Sequence, residues 1–263
     1  MLGPLKSATK HVLKQFNIGA LRYDRLQQLE HNSRAGEDLE FLKELPGQYT
    51  HDLMLLLHQS KAEFRQDLFV LSELNFKKDG YFVEFGATNG ISTSNTYLLD
   101  KQFGWRGILA EPAKRWHKQL KVNRSCSIDT SCVWSTSKQV LQFQEEETGE
   151  CSAIATLNAL NAENKHSIPR KAYDVSTISL TDLLIKYGAP AVVDYLSIDT
   201  EGSEYDILKS FDFSKFKFRV ITCEHNYTQS KERIYDLLSK HGYARKFERF
   251  SKVDDWYVLR EKV

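Results

Sequence analysis

The sequence lacks several features that would each point to a class. Charge of one sign is missing: 36 basic residues face 35 acidic ones, for a net charge of +1. That balance argues against a nucleic-acid binder working through whole-surface electrostatics. Long hydrophobic runs are missing too. "LMLLLH" at 53–58 falls far short of the about 20 apolar residues a membrane span needs, and the first residues carry no apolar region of the signal-peptide kind. Cysteine is scarce: Cys126, Cys132, Cys151 and Cys223 show no CxxC spacing and stand beside no His cluster, so a zinc site is not expected. Cys132 and Cys223 lie in apolar runs and read as buried free thiols, the usage of a reducing, cytoplasmic compartment. A Cys126–Cys151 disulfide is the minor alternative. Internal repeats and low-complexity tracts are also absent.

What is present is an ordinary globular composition, 41% hydrophobic and 27% charged over 263 residues, enough for a self-supporting core. Residues 1–79 read as a helical extension, with helical apolar spacing at 39–45, 51–60 and 64–74. Its first part sets Lys6, Lys10, Lys14, Arg22 and Arg25 among apolar side chains. Such a segment suits peripheral contact with an anionic membrane, although packing against protein is the favoured reading. From Gly80 to the end, strands and helices alternate, which predicts a mostly parallel sheet covered on both faces. Strands are expected at 81–85, 107–112, 127–134, 139–144, 192–202 (the strand and its turn) and 218–226. Helices are expected at 94–103, 113–123, 179–188 and 230–242. The run 145–175 reads as irregular, with a helix near 158–164. "YARKFERF" and "DDWYVLR" predict a closing antiparallel hairpin.

The stretch "YFVEFGATNG" (81–90) concentrates the chemistry. Ligands of open α/β sheets bind beyond the carboxyl ends of the strands, and Gly86 and Gly90 suit a turn needing positive φ or room for a ligand. A dinucleotide fingerprint would place glycine at 88 and 91, where Thr88 and Ile91 stand. Glu84 would repel a pyrophosphate but suits the ammonium of S-adenosylmethionine. Glu111, ending the next strand, can accept both hydroxyls of a ribose, a property that does not distinguish the two cofactors. Read alone, the turn is equally a plain strand-to-helix connection.

Taken together, "FVEFGATNG", "SNTYLLD", "GWRGILAEP", "LSIDTEGSEYDIL" and "DDWYVL" resemble FkbM-type methyltransferases, over roughly residues 66–259. The resemblance implies a class I methyltransferase Rossmann-like fold that uses S-adenosylmethionine. It assigns Glu84 and the turn Gly86, Ala87, Thr88, Asn89 and Gly90 to the methionine part, and Glu111, followed by Pro112, to the ribose. It sets Cys132, within 131–133, against the adenine. It also implies O-methylation of a sugar, glycan or small hydroxylated acceptor. Because some relatives are not known to be enzymes, a non-catalytic binding or scaffold protein remains the alternative.

The pattern D-x-E-G-x-E at 199–204 carries Asp199 and Glu201 over as active-site acids; Glu204 falls on the following helix, as a cap. "CEHN" adds Glu224 and His225 at the next strand end, His225 being the best general-base candidate. A divalent cation on Asp199, Glu224, His225 and Asn226 is left open and not predicted. Gln66 and Asp67 are expected near the cleft entrance, and 94–96 beside acceptor or cofactor, with helix capping as the equal reading.

Overall fold

A computed structural model describes residues 23–146, 152–154 and 170–260. The basic segment up to residue 22, Cys151 and the helix expected near 158–164 lie outside them. The chain divides into two compact units, Met1–Thr50 and His51–Val263. The first contains helix Tyr23–Glu44. The texture of the sequence changes at Gly80, whereas the second unit starts at His51 and takes in helix Gln66–Glu73, buried from Gln66 to Ser72. A helix apolar around most of its circumference must be covered on most sides. Among the described residues, no helix is long and apolar enough to cross a membrane.

The strands of the second unit, in chain order, are β1 Tyr81–Phe85, β2 Arg106–Ala110, β3 Ser127–Asp129, β4 Cys132–Trp134, β5 Val140–Glu146, β6 Ala153–Ile154, β7 Arg170–Ser179, β8 Val192–Ile198, β9 Lys217–Glu224, β10 Tyr243–Lys246 and β11 Asp254–Leu259. Seven of them form one sheet in the order β10-β11-β9-β8-β1-β2-β3. Pairing is parallel from β9 through to β3, and β11 runs antiparallel between β9 and β10. This is the expected α/β Rossmann-like arrangement with its antiparallel ending. Strands buried on both faces read as near-continuous apolar runs; Val83, Phe85, Ile108, Leu196, Ile198 and Ile221 form the core with Ile207, Leu208 and Phe218. Each fully buried side chain of this kind contributes roughly 1.5–3 kcal/mol.

One polar exception on these strands, Asp194, is matched by its neighbours. Asp194 on β8 accepts from Lys77 Nζ at 2.6 Å and from the Tyr81 amide at 3.0 Å. Helix Leu180–Lys186 starts as expected, with Ser179 Oγ accepting from the Asp182 amide at 3.1 Å.

The stretch 127–134, expected as one strand, is two. Asp129 Oδ1 accepts from the Ser131 amide at 2.8 Å, and this local bond turns the chain between β3 and β4. β4 then leaves the main sheet and pairs with β7 in a second, four-stranded sheet of order β4-β7-β5-β6. β7 starts at Arg170, inside the run expected to be irregular, because it pairs with β5 along Val140–Glu146. The helix expected at 94–103 starts only at Tyr97, since the three residues before it are held by Glu84.

Candidate functional site

The glycine turn follows β1 and takes the backbone that its sequence allows. Gly86 has φ +71°, and a Cβ there would lie 2.3 Å from the Asp199 carbonyl oxygen. Only glycine lets the ends of β1 and β8 come this close. A cavity of about 260 Å³ opens at this crossing, beyond the carboxyl ends of β1, β2, β8 and β9.

Its walls sort by element. Gly86 and Thr88 come from the turn, Glu111 and Pro112 from the end of β2, and Cys132 and Val133 from β4. Phe143 on β5 and Ile154 on β6 close that end, packed with Cys132 and Val175 in an apolar cluster. Asp199, Thr200, Glu201 and Ser203 line the other end from the loop after β8, with Glu224 from β9 and with Glu63 and Thr93 opposite.

Glu111 is buried and pinned: Oε2 accepts from the Thr88 amide at 2.7 Å and Oε1 from the Ala113 amide at 2.8 Å. Each oxygen keeps a further lone pair, the capacity that a vicinal diol requires. Burial pushes its pKa up from 4.5 to about 7, the two amide bonds opposing the rise and Glu145 adding to it.

At the acidic end, Asp199, Glu201 and Glu224 each bring an oxygen within 4.8 Å of the others. Asp199 meets solvent through the cavity, yet protein encloses it closely enough that burial, then Glu201 and Asp254, raise its pKa well above the usual carboxylate range. Burial and then Asp199 raise that of Glu224. Such a pair responds by retaining a proton. Three oxygens at this spacing also suit a divalent cation, with Glu201 rather than Asn226 completing the set. Among the described residues, Glu224 Oε2 is buried without a hydrogen-bond partner. Glu204, expected to cap its helix, instead fixes the loop that presents Asp199 and Glu201: Oε1 accepts from the amides of Thr200 and Gly202, both at 3.0 Å.

Six expected site residues lie outside the cavity lining. Glu84 is buried behind the turn. Its carboxylate accepts from Ser94 Oγ (3.0 Å), the Asn95 amide (2.7 Å) and Thr96 Oγ1 (2.5 Å), with Arg124 Nη1 at 3.9 Å. It organises residues 94–96 and does not line the cavity. His225 follows Glu224, and successive side chains of a strand point to opposite faces. His225 therefore turns away from the cavity: Nδ1 accepts from the Tyr227 amide at 3.0 Å and Nε2 lies 3.6 Å from Asp255 Oδ1. Asn226 likewise stands outside the lining, as do Ala87, Asn89 and Gly90 of the turn. The last three shape it: Gly90 O accepts from Arg124 Nη1 at 3.1 Å, and Asn89 O from Asn123 Nδ2 at 2.8 Å.

Glu63, Thr93, Phe143 and Ile154 were not anticipated. The alternation in "QVLQFQ" marks Phe143 as inward-facing, but nothing in the sequence says which cavity that face meets.

A family model described as methyltransferase FkbM domain matches residues 84–245, more than half of the chain. The chain is similar to a solved methyltransferase FkbM from Methylobacillus flagellatus KT, at 11% identity over 98% of this chain and 71% of that one, with a TM-score of 0.45. It is also similar to a precorrin-6y C5,15-methyltransferase from Geobacter metallireducens GS-15, at 14% identity over 68% of this chain and 72% of that one, with a TM-score of 0.37. No curated protein matches the sequence.

Proposed function

The chain belongs to the FkbM methyltransferase family, and from that premise we propose that it transfers a methyl group from S-adenosylmethionine to a hydroxyl of a sugar or other small hydroxylated acceptor. The observation that carries this reading is that one cavity joins two chemically different ends. One end has the glycine turn, Glu111 and an apolar slot formed by Cys132, Val133, Phe143 and Ile154. The other has the Asp199–Glu201–Glu224 cluster.

When bound, the cofactor would supply an electrophilic methyl on a sulfonium, given up to the acceptor oxygen as the carbon–sulfur bond breaks with its electron pair kept by sulfur. Glu111 would hold the ribose through the lone pairs that its two amide bonds leave. The apolar slot would take the adenine and exclude water from it. The hydroxyl proton passes to the ionised member of the Asp199–Glu224 pair, which burial and mutual repulsion make more basic than an ordinary carboxylate. His225 is outside this scheme because it faces the other way.

The test is calorimetry with S-adenosylhomocysteine, followed by tritiated-methyl transfer over a panel of neutral sugars. Asp199→Asn should keep cofactor binding and lower turnover by about 10²–10⁴-fold. A protein that binds neither form of the cofactor at millimolar concentration is not a methyltransferase of this kind.

A further inference from the structure

A strap of residues 60–66, upstream of the family match, closes one side of the cavity. It is tied down at both ends. Ser60 Oγ donates to Asp67 Oδ1 at 2.7 Å. Ala62 forms a parallel bridge to Thr93, itself a cavity residue. Gln66 accepts the Phe64 amide at 2.9 Å and donates from Nε2 to Asp254 Oδ2 at 2.7 Å. Between these anchors, Arg65 is buried at φ +67°, and the strap sends Glu63 into the cavity.

Asp254 sits directly opposite Glu224 in the β9–β11 register, so the strap is fastened beside the acidic end. The negative charge of Glu63 is felt at Asp254. With Glu63 this end has four carboxylates, and none of the described residues lining the cavity is Lys, Arg or His. Glu224 Oε2 there meets no donor among the described residues. Such a wall welcomes hydrogen-bond donors and repels anions.

We propose that Glu63 is a specificity-determining residue for the acceptor, and that with Asp199 and Glu224 it restricts the acceptor to hydroxyl- or ammonium-bearing molecules with no phosphate or carboxylate near the reacting group. The inference rests on the methyl-transfer reading. Because Glu63 is exposed to the cavity on an anchored strap, its replacement leaves the core intact.

The experiment is an NMR titration of protein saturated with S-adenosylhomocysteine, using glucose, glucosamine, glucuronate and a hexose phosphate. The first two should bind at least roughly tenfold more tightly than the acids. Glu63→Lys should cut that ratio severalfold or reverse it, with cofactor affinity unchanged, and Glu63→Gln should fall between. The proposal is overturned if the acids bind as well as glucose, if neither glucose nor glucosamine binds, or if Glu63→Lys leaves the ranking as it was. Failure to saturate with S-adenosylhomocysteine would instead sink the methyl-transfer reading itself.

Discussion

Glu84 shows how one carboxylate in an apolar strand can be read in two ways. The sequence presents it as a partner for a bound ammonium. The structure gives it two hydroxyl donors, one amide and the nearby Arg124 guanidinium. Breaking a buried ion pair by removing one partner costs about 3–5 kcal/mol, so Glu84→Ala should lower urea stability by that order. Glu84→Gln should be milder, with cofactor affinity falling only as stability falls. An unchanged urea midpoint together with abolished S-adenosylhomocysteine binding would restore the direct-contact role. Glu111 makes the complementary case, a carboxylate with capacity left over. Its folded pKa, about 7, lies above the ordinary 4.5. Its contribution to stability is therefore complete below about pH 4.5 and is lost as pH rises through 7. Ionisation over the same window improves it as an acceptor for ribose hydroxyls. Calorimetry should show cofactor affinity rising from pH 6 to about pH 8 in the wild type and staying flat in Glu111→Gln.

At the scale of elements, Arg124 is the joint of the cofactor half. From the end of helix His117–Asn123 its fully buried side chain reaches Asp100 (2.7 Å), Gly90 O (3.1 Å), Ser94 (3.2 Å) and Thr96 (3.0 Å). It thereby fastens the glycine turn to helix Tyr97–Phe103. Arg124→Met should cost about 3–5 kcal/mol in urea unfolding, and Arg124→Lys should recover only part, since a single ammonium cannot span a fork of partners. Complete rescue by lysine would show that only the charge matters. The same joint explains which parts of the sequence were legible. Buried strands announced themselves as apolar runs, and Gly86 and Gly90 as a turn. Residues 94–96 did not, because their role is a bond to a carboxylate ten residues earlier that no local propensity records. β4 and β7 were obscure for a related reason: which sheet a short apolar run joins is decided by its partners. The alternation of strand side chains could have excluded Glu224 and His225 from sharing one face, so that error was avoidable. Glu63 had no signal at all, since its place depends on anchors at Thr93 and Asp254.

Across the whole molecule charge is nearly balanced, at +1, but it is not evenly placed. Glu63, Glu111, Asp199, Glu201 and Glu224 line one cavity, and none of its described lining residues is Lys, Arg or His. Several of them bind protons more tightly than usual, chiefly because they are buried. A ligand that brings positive charge relieves this arrangement, and a neutral one does not. S-adenosylmethionine carries one more positive charge than S-adenosylhomocysteine, so the donor should bind on the order of tenfold more tightly than the product at low salt. Enclosed charges are screened less than exposed ones, so added salt should narrow the gap only in part. Lowering the pH through 7 should narrow it further, as Glu111 takes up a proton. Paired titrations of the two ligands across salt and pH measure this directly. Equal affinities under every condition would mean that the carboxylates are already neutralised in the free protein, by shared protons or a bound cation, and that the cavity does not select its ligands by charge.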